Sequence, residues 1–384
     1  MTDDIIYLDH AAATPMDSLV LAAMQPYFSE QFFNPSSPYA AAVGVKRAYA
    51  DAKARIARVL GVGADELVMT AGATESVNLA LTAAGDGRCA VSAIEHASVI
   101  AAAGRGGEPV IIPADKKGRV TPEAVRAALT PEVSVVSVAL VNHELGTVQA
   151  IDDIVRVVEA ERQRRREASE ALPLYVYTDA SQAAALLDVK VKRLGVDLLT
   201  LSAAKVYGPK QVGLLWVRPG VRLSATVVGG GQEGGLRSGT ENVAGVIGFA
   251  TALELAAQRR SGEVRRLRVL RDRLRDRLAA ALPDMIVNGD QKKGLVSILN
   301  VAFPGVDAER LVFWLEARGV MVATGSACAA NAGLRSSVLT AIGLETAAID
   351  GSLRMSLGRL STEANIDRAA ELIIQAVRVE QERR

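Results

Sequence analysis

Short apolar runs and amphipathic stretches alternate along most of the chain. Residues 66–70, 88–94, 110–113, 133–141, 174–179, 196–201 and 212–217 have the length and bounds of buried strands. Helical patterns such as 121–129 and 152–168 fill most of the gaps between them. This alternation predicts βαβ units, hence an α/β large domain whose seven-stranded, mostly parallel sheet is flanked by helices. Residues 258–278 then read as one long amphipathic helix, with Val264, Leu267, Leu270, Leu274 and Leu278 at helical spacing. Strand-like 295–303, a helix at 307–318, a strand at 319–324, a strand at 353–357 and a closing helix from Glu363 predict a smaller α+β domain.

Length supports that division. At 384 residues the chain exceeds one small core. The expected domains are 15–256, and 1–14 together with 257–384. With 49% hydrophobic residues and a net charge of +1, the chain reads as a soluble globular protein without a strongly charged partner. The arginines of the 259–277 stretch are interleaved with acids and lack aromatics. They predict a solvated helix between domains, and direct nucleic-acid binding is not expected. Cys89 and Cys328 are the only cysteines, too few for a disulfide framework or a four-sulfur metal site; no metal is expected. A reducing cytoplasm suits them. The first residues show no basic region followed by an apolar core, and no run approaches the ~18 apolar residues of a membrane span.

The chemistry-bearing residues fall where strands end, which is where open α/β sheets bind ligands. Residues 70–76 (Thr-Ala-Gly-Ala-Thr-Glu-Ser) link a strand to a helix and offer free amides to an anion, or an ordinary N-cap by Thr74. Glu95-His96 follows the next strand, and Asn142-His143-Glu144 follows another. Asp179 closes a fourth, where a buried carboxylate needs a cationic partner such as a protonated pyridine. The 197–210 stretch ends its strand with Ser202 and Lys205 before a Gly-Pro break. A lysine there is either a surface cation at a turn or, desolvated, an amine nucleophile. Polar side chains at strand end after strand end are hard to explain by packing alone.

In order, these motifs resemble the cysteine desulfurases of the NifS/IscS type, in the class V aminotransferase group of fold-type-I pyridoxal phosphate enzymes. The resemblance runs nearly end to end. It includes Tyr7-Leu8-Asp9-His10 through Pro15, Asn34-Pro35-Ser36-Ser37, Gly72 through Ser76 and Lys205-Val206-Tyr207-Gly208-Pro209-Lys210. It continues through Gly229 to Glu233, Arg237-Ser238-Gly239-Thr240, Gly325-Ser326-Ala327-Cys328 and Arg354 to Arg359. The resemblance implies pyridoxal 5'-phosphate as cofactor, held covalently by Lys205, which also moves the substrate's α-proton. Asp179 would keep the pyridine nitrogen protonated, and His96 would lie over the ring and assist proton transfers. Gln182 would bond the ring hydroxyl. Ala73, Thr74 and Ser202 would hold the phosphate, with Thr240 reaching it from the other subunit of a homodimer. Asn34 and Arg354 would bind the carboxylate of L-cysteine, Arg354 as a fork. Cys328, among small residues, would take the sulfur as a persulfide and carry it to an acceptor protein, with alanine released; the small domain would thus hold both Cys328 and Arg354. Cys89, inside a strand, is expected to be an inert core thiol.

Two positions depart from the family pattern. Ala204 stands where a phosphate-contacting histidine usually precedes the lysine, which would weaken cofactor retention by about 1 kcal/mol. His143 stands where the family usually has an asparagine near the ring hydroxyl. Tyr39 also replaces a common histidine, and His10 is given no chemistry. Selenocysteine lyase, another class V activity, or a catalytically weak partner subunit are the alternatives. Iron–sulfur assembly, tRNA thiolation and DNA phosphorothioation stay open as destinations for the sulfur.

Overall fold

The computed structural model describes residues 5–325 and 335–383. Twelve strands occur among them: β1 (Ile6–Tyr7), β2 (Leu67–Thr70), β3 (Arg88–Ser92), β4 (Val110–Ile112), β5 (Val133–Ser137), β6 (Tyr175–Asp179), β7 (Leu198–Ser202), β8 (Gly213–Val217), β9 (Ile286–Asn288), β10 (Ile298–Ala302), β11 (Val320–Met321) and β12 (Ser352–Ser356). Seven of them form one sheet in the order β2-β8-β7-β6-β5-β3-β4. Neighbours from β7 to β4 are parallel, and β8 runs antiparallel to both β7 and β2. The parallel strands are nearly continuous apolar runs because helices cover both faces of the sheet. Val135, Val136, Val176, Leu198 and Leu199 are almost wholly buried.

A second, antiparallel sheet has the order β12-β10-β9. The start of the chain joins it: β1 pairs in parallel with β11, and Asp9 bridges to Ser356 at the end of β12.

The helix expected at 258–278 is longer than its pattern indicates. It runs from Val243 to Ala281, straight through the expected junction at 256/257. Its first turns are buried nearly all round, including Val246, Phe249, Ala250 and Leu253, so no polar face marks them. From residue 259 onward, seven of its nine arginines, Arg259, Arg260, Arg266, Arg271, Arg273, Arg275 and Arg277, pair with Asp or Glu. The charge that a polyanion would need is thus largely compensated within the protein. Two other readings are shortened. The 133–141 run is a strand only to Ser137, with an isolated bridge at Val141, and 319–324 is a strand only at Val320–Met321. Cys89 is buried in β3, and burial pushes its thiol up to about 11. No helix among the described residues is long and apolar enough to cross a membrane.

Candidate active site

The carboxyl ends of β2, β3, β5, β6 and β7 open onto one cavity of about 710 Å³. Nine of the expected residues line it: Ala73, Thr74, His96, His143, Asp179, Gln182, Ser202, Lys205 and Arg354.

One end is built from backbone. The helix Ala73–Ala80 starts at Gly72, whose φ of 145° favours glycine, and no side chain caps it. β8 passes directly beneath; a Cβ on Gly213 would lie 2.6 Å from the carbonyl carbon of Gly72. The close approach therefore requires glycine in the strand as well as in the turn. Glu75 braces the turn, accepting from the Ala71 amide (2.8 Å) and from Arg237 Nε (2.8 Å). Uncapped first-turn amides, with Thr74 and the 8%-exposed Ser202 beside them, form a donor set matched to a phosphate.

The middle of the cavity carries the titratable groups. Lys205 Nζ donates to the carbonyls of Ala11 (2.7 Å) and Ala12 (2.6 Å), and Gln182 Nε2 donates to Ala11 (3.0 Å). Asp179 Oδ1 accepts from the Ser181 amide at 2.8 Å. His96 caps the helix Ala97–Ala103 by accepting the Ser98 amide on Nδ1 (3.2 Å), which places the proton of the neutral ring on Nε2. His96 and His143 meet edge to face, with ring centroids 5.1 Å apart. Burial lowers both histidines below the ordinary 6.5, His143 strongly, and Lys205 adds to the effect on each. Both rings are therefore neutral acceptors or donors near pH 7.

Arg354, from β12, closes the far end. It is 2% exposed, and its guanidinium donates to Asp9 Oδ1 (2.6 Å) and the His143 carbonyl (3.3 Å). Its Nε has no partner, although it is buried. A buried arginine with a spare donor at the cavity wall is suited to a ligand carboxylate. Asp9 lies 345 residues from Arg354 along the chain, so no local pattern could have paired them.

Two expected residues are not brought here. Asn34 is exposed and turns its Oδ1 to the Ser36 amide (2.9 Å). Thr240 is exposed and borders a separate depression with Tyr49 and Glu233. Cys328 lies outside the described residues. Ala204, where a histidine is usual, offers its carbonyl to the amide (3.0 Å) and hydroxyl (2.9 Å) of Thr14. Glu95, passed over above as His96's neighbour, proves to be a buried member of the lining.

A parallel sheet with a lysine, an aspartate and an anion cradle at its strand ends defines a cofactor-dependent α/β enzyme. Comparison with known proteins agrees. The class V aminotransferase family matches residues 6–369, and the chain belongs to that family. It is a pyridoxal-phosphate-dependent enzyme, and the donor set above fits that cofactor: amides and hydroxyls for the phosphate, a carboxylate for the ring nitrogen, an amine for the aldehyde. Within the family the similarity lies with cysteine desulfurases. Cysteine desulfurase IscS 1 of Archaeoglobus fulgidus is 38% identical, covering 96% of this chain and 95% of its own. A solved NifS-like protein superposes with a TM-score of 0.88 at 29% identity, covering 98% of this chain and all of its own. The structure of SspA in complex with cysteine gives a TM-score of 0.77 at 31% identity, over 91% and 98% of the two chains.

Proposed function

We propose that this protein is a cysteine desulfurase: it takes sulfur from L-cysteine, releases L-alanine and holds the sulfur as a persulfide on Cys328. The observation that carries the reading is the convergence of Lys205, Asp179, His96 and Arg354 on one cavity that begins at an uncapped helix N-terminus. When bound, pyridoxal phosphate supplies an electron sink that stabilises negative charge at the substrate's α-carbon.

The chain's own residues do the rest. Arg354 orients the substrate by its carboxylate, its geometry already fixed by Asp9 and the His143 carbonyl. Lys205 takes the α-proton and returns it, and the Ala11 and Ala12 carbonyls define where its amine rests between these steps. Asp179 would hold a proton on the cofactor's ring nitrogen, and His96, neutral with its proton on Nε2, would pass protons within the same cavity. The Cys328 thiolate attacks the substrate sulfur; an S–S bond forms, the Cβ–S bond breaks, and Cβ gains a proton to leave alanine.

The same reading makes the protein a homodimer in which Thr240 reaches the phosphate end of the partner's site. Thr240 is exposed, as are the large apolar side chains of Phe28 (58%), Phe32 (66%) and Val228 (82%), surface of the kind a partner subunit covers. An acceptor protein receives the persulfide sulfur.

The test is a paired assay of alanine and sulfide from L-cysteine with cofactor and a thiol reductant. Equal yields, lost in both Cys328→Ala and Lys205→Ala, are expected. Sulfide that persists in Cys328→Ala at the wild-type rate would overturn the persulfide step. Turnover of selenocysteine but not cysteine would move the reading to a lyase.

A further inference from the structure

A second carboxyl lies beneath the site. Glu95 is 3% exposed and lines the cavity beside Asp179. Its Oε1 accepts the Ala139 amide at 2.7 Å and stands 3.4 Å from the Ser137 hydroxyl, while its buried Oε2 has no partner. The groups that act on it from the packed elements are Asp179 and Tyr177 of β6, Ser137 and Ala139 at the end of β5, and the backbone of His96; Lys205 is the cation of the same cavity. Glu95 itself forms no ion pair among the described residues. Asp179 and Tyr177 share one face of β6, and Thr200 of β7 is the register partner of Asp179. The buried Tyr177 and Thr200 hydroxyls lie beside one another in the same layer. Asp179 thus sits on a small polar layer of the sheet.

An enclosed, unpaired carboxylate costs several kcal/mol, and more beside a second negative charge. Asp179 is half-buried and opens to the cavity that holds Lys205, whereas Glu95 is enclosed and forms no ion pair, so Glu95 is the one to give up its charge. Asp179 is bound by the Ser181 amide at the cavity, where a cationic ring nitrogen would meet it. Glu95 is the enclosed member, and burial first, then the Asp179 charge, pushes it from the ordinary 4.5 up to about 8.

We propose that Glu95 is held as a neutral carboxylic acid and serves as a positioning residue, confining the negative charge of this layer to Asp179 so that one undivided carboxylate faces the cofactor's ring nitrogen. The partnerless Oε2 carries the proton. The role assigned to Asp179 rests on the function proposed above; the charge state of Glu95 does not.

Infrared difference spectroscopy of the cofactor-free protein reads that charge state directly. A protonated-carboxyl C=O band is expected at pH 6. It should titrate away with a midpoint near 8, and it should be missing from Glu95→Gln. No such band at pH 6, or one that survives in Glu95→Gln, overturns the proposal. Thermal melting gives a second reading. The folded protein binds this proton more tightly than the unfolded chain, so wild type should lose stability relative to Glu95→Gln as pH rises from 4.5 to about 8. A difference that stays flat across that window counts against it.

In the loaded enzyme, Glu95→Gln should leave the pH midpoint of the bound cofactor's visible absorbance in place, because no charge is removed. A midpoint moved by a unit would mean that Glu95 is ionised. Glu95→Leu should keep the cofactor but lower kcat about tenfold, the effect of one lost buried hydrogen-bonding group. Unchanged kcat in Glu95→Leu would remove the positioning role. If the infrared band appears but no Lys205-dependent sulfide forms, the desulfurase reading fails and the neutral Glu95 stands.

Discussion

The two halves of the expected ligand set differ sharply in where the chain puts them. Asp179, Ser202, Lys205 and His96 stand at the ends of β6, β7 and β3 or just beyond, fixed by a seven-stranded sheet. Asn34 and Thr240 stand on exposed segments and miss the cavity. Under the proposed dimer, one chain builds the floor of the site on its rigid sheet, and a second chain completes the rim.

The largest effect tests the floor. Lys205→Ala should abolish covalent cofactor absorbance and lower turnover by about 10³-fold or more, within the range for losing a positioned proton-transfer group. Absorbance and single-turnover alanine formation check this; a variant within tenfold of wild type would break the comparison at its root. Next comes Arg354→Lys, which keeps the charge but loses the fork that serves Asp9, the His143 carbonyl and the substrate together. KM for L-cysteine should rise about tenfold or more, with the cofactor spectrum unchanged.

Smaller effects sharpen the rim. Thr240→Ala should weaken phosphate retention by about 1 kcal/mol, read as a roughly fivefold weaker cofactor Kd. Mixed dimers of Lys205→Ala and Thr240→Ala chains then decide geometry. If Thr240 acts across the interface, each hybrid contains one site with both residues intact and wild-type cofactor affinity. If it acts within its own chain, the hybrid's only lysine-bearing site shows the weak Kd. The last prediction concerns pH. Burial lowers His10 from 6.5 to about 4, and its Nδ1 donates to the Ser356 carbonyl at 3.0 Å. The unfolded chain takes up this proton first, so the stability of the neutral ring is present above 6.5 and is lost as pH falls toward 4. Thermal melts of His10→Asn should fall less steeply over that window.

Much of the floor was legible because each of its residues directly follows an apolar run, and strand ends are where such sheets bind ligands. The alternation that gave the strands also gave the fold class. What escaped was hidden by composition or by distance. The helix Ala40–Leu60 went unread because its buried stripe is partly alanine (Ala42, Ala52, Ala57), which contrasts weakly with its polar faces. The first half of the Val243–Ala281 helix has no polar face to contrast with. Glu95 stood next to a noticed histidine, yet its importance comes from Asp179, 84 positions away. The Asp9–Arg354 pair requires the two ends of the chain to meet.

That meeting sets a timetable for synthesis. The segment whose carbonyls hold Lys205 is among the first made, and it docks through β1 on β11 and through Asp9 on Arg354, some 345 residues later. At about 5–20 residues per second, roughly 17–70 s of translation separate the two. Throughout that interval the lysine can already be in its sheet while the peptide that positions it still trails free. The site is finished only by Arg354 and its strand, so the lysine's place in the sheet and the contacts that position it are set by separate stretches of chain.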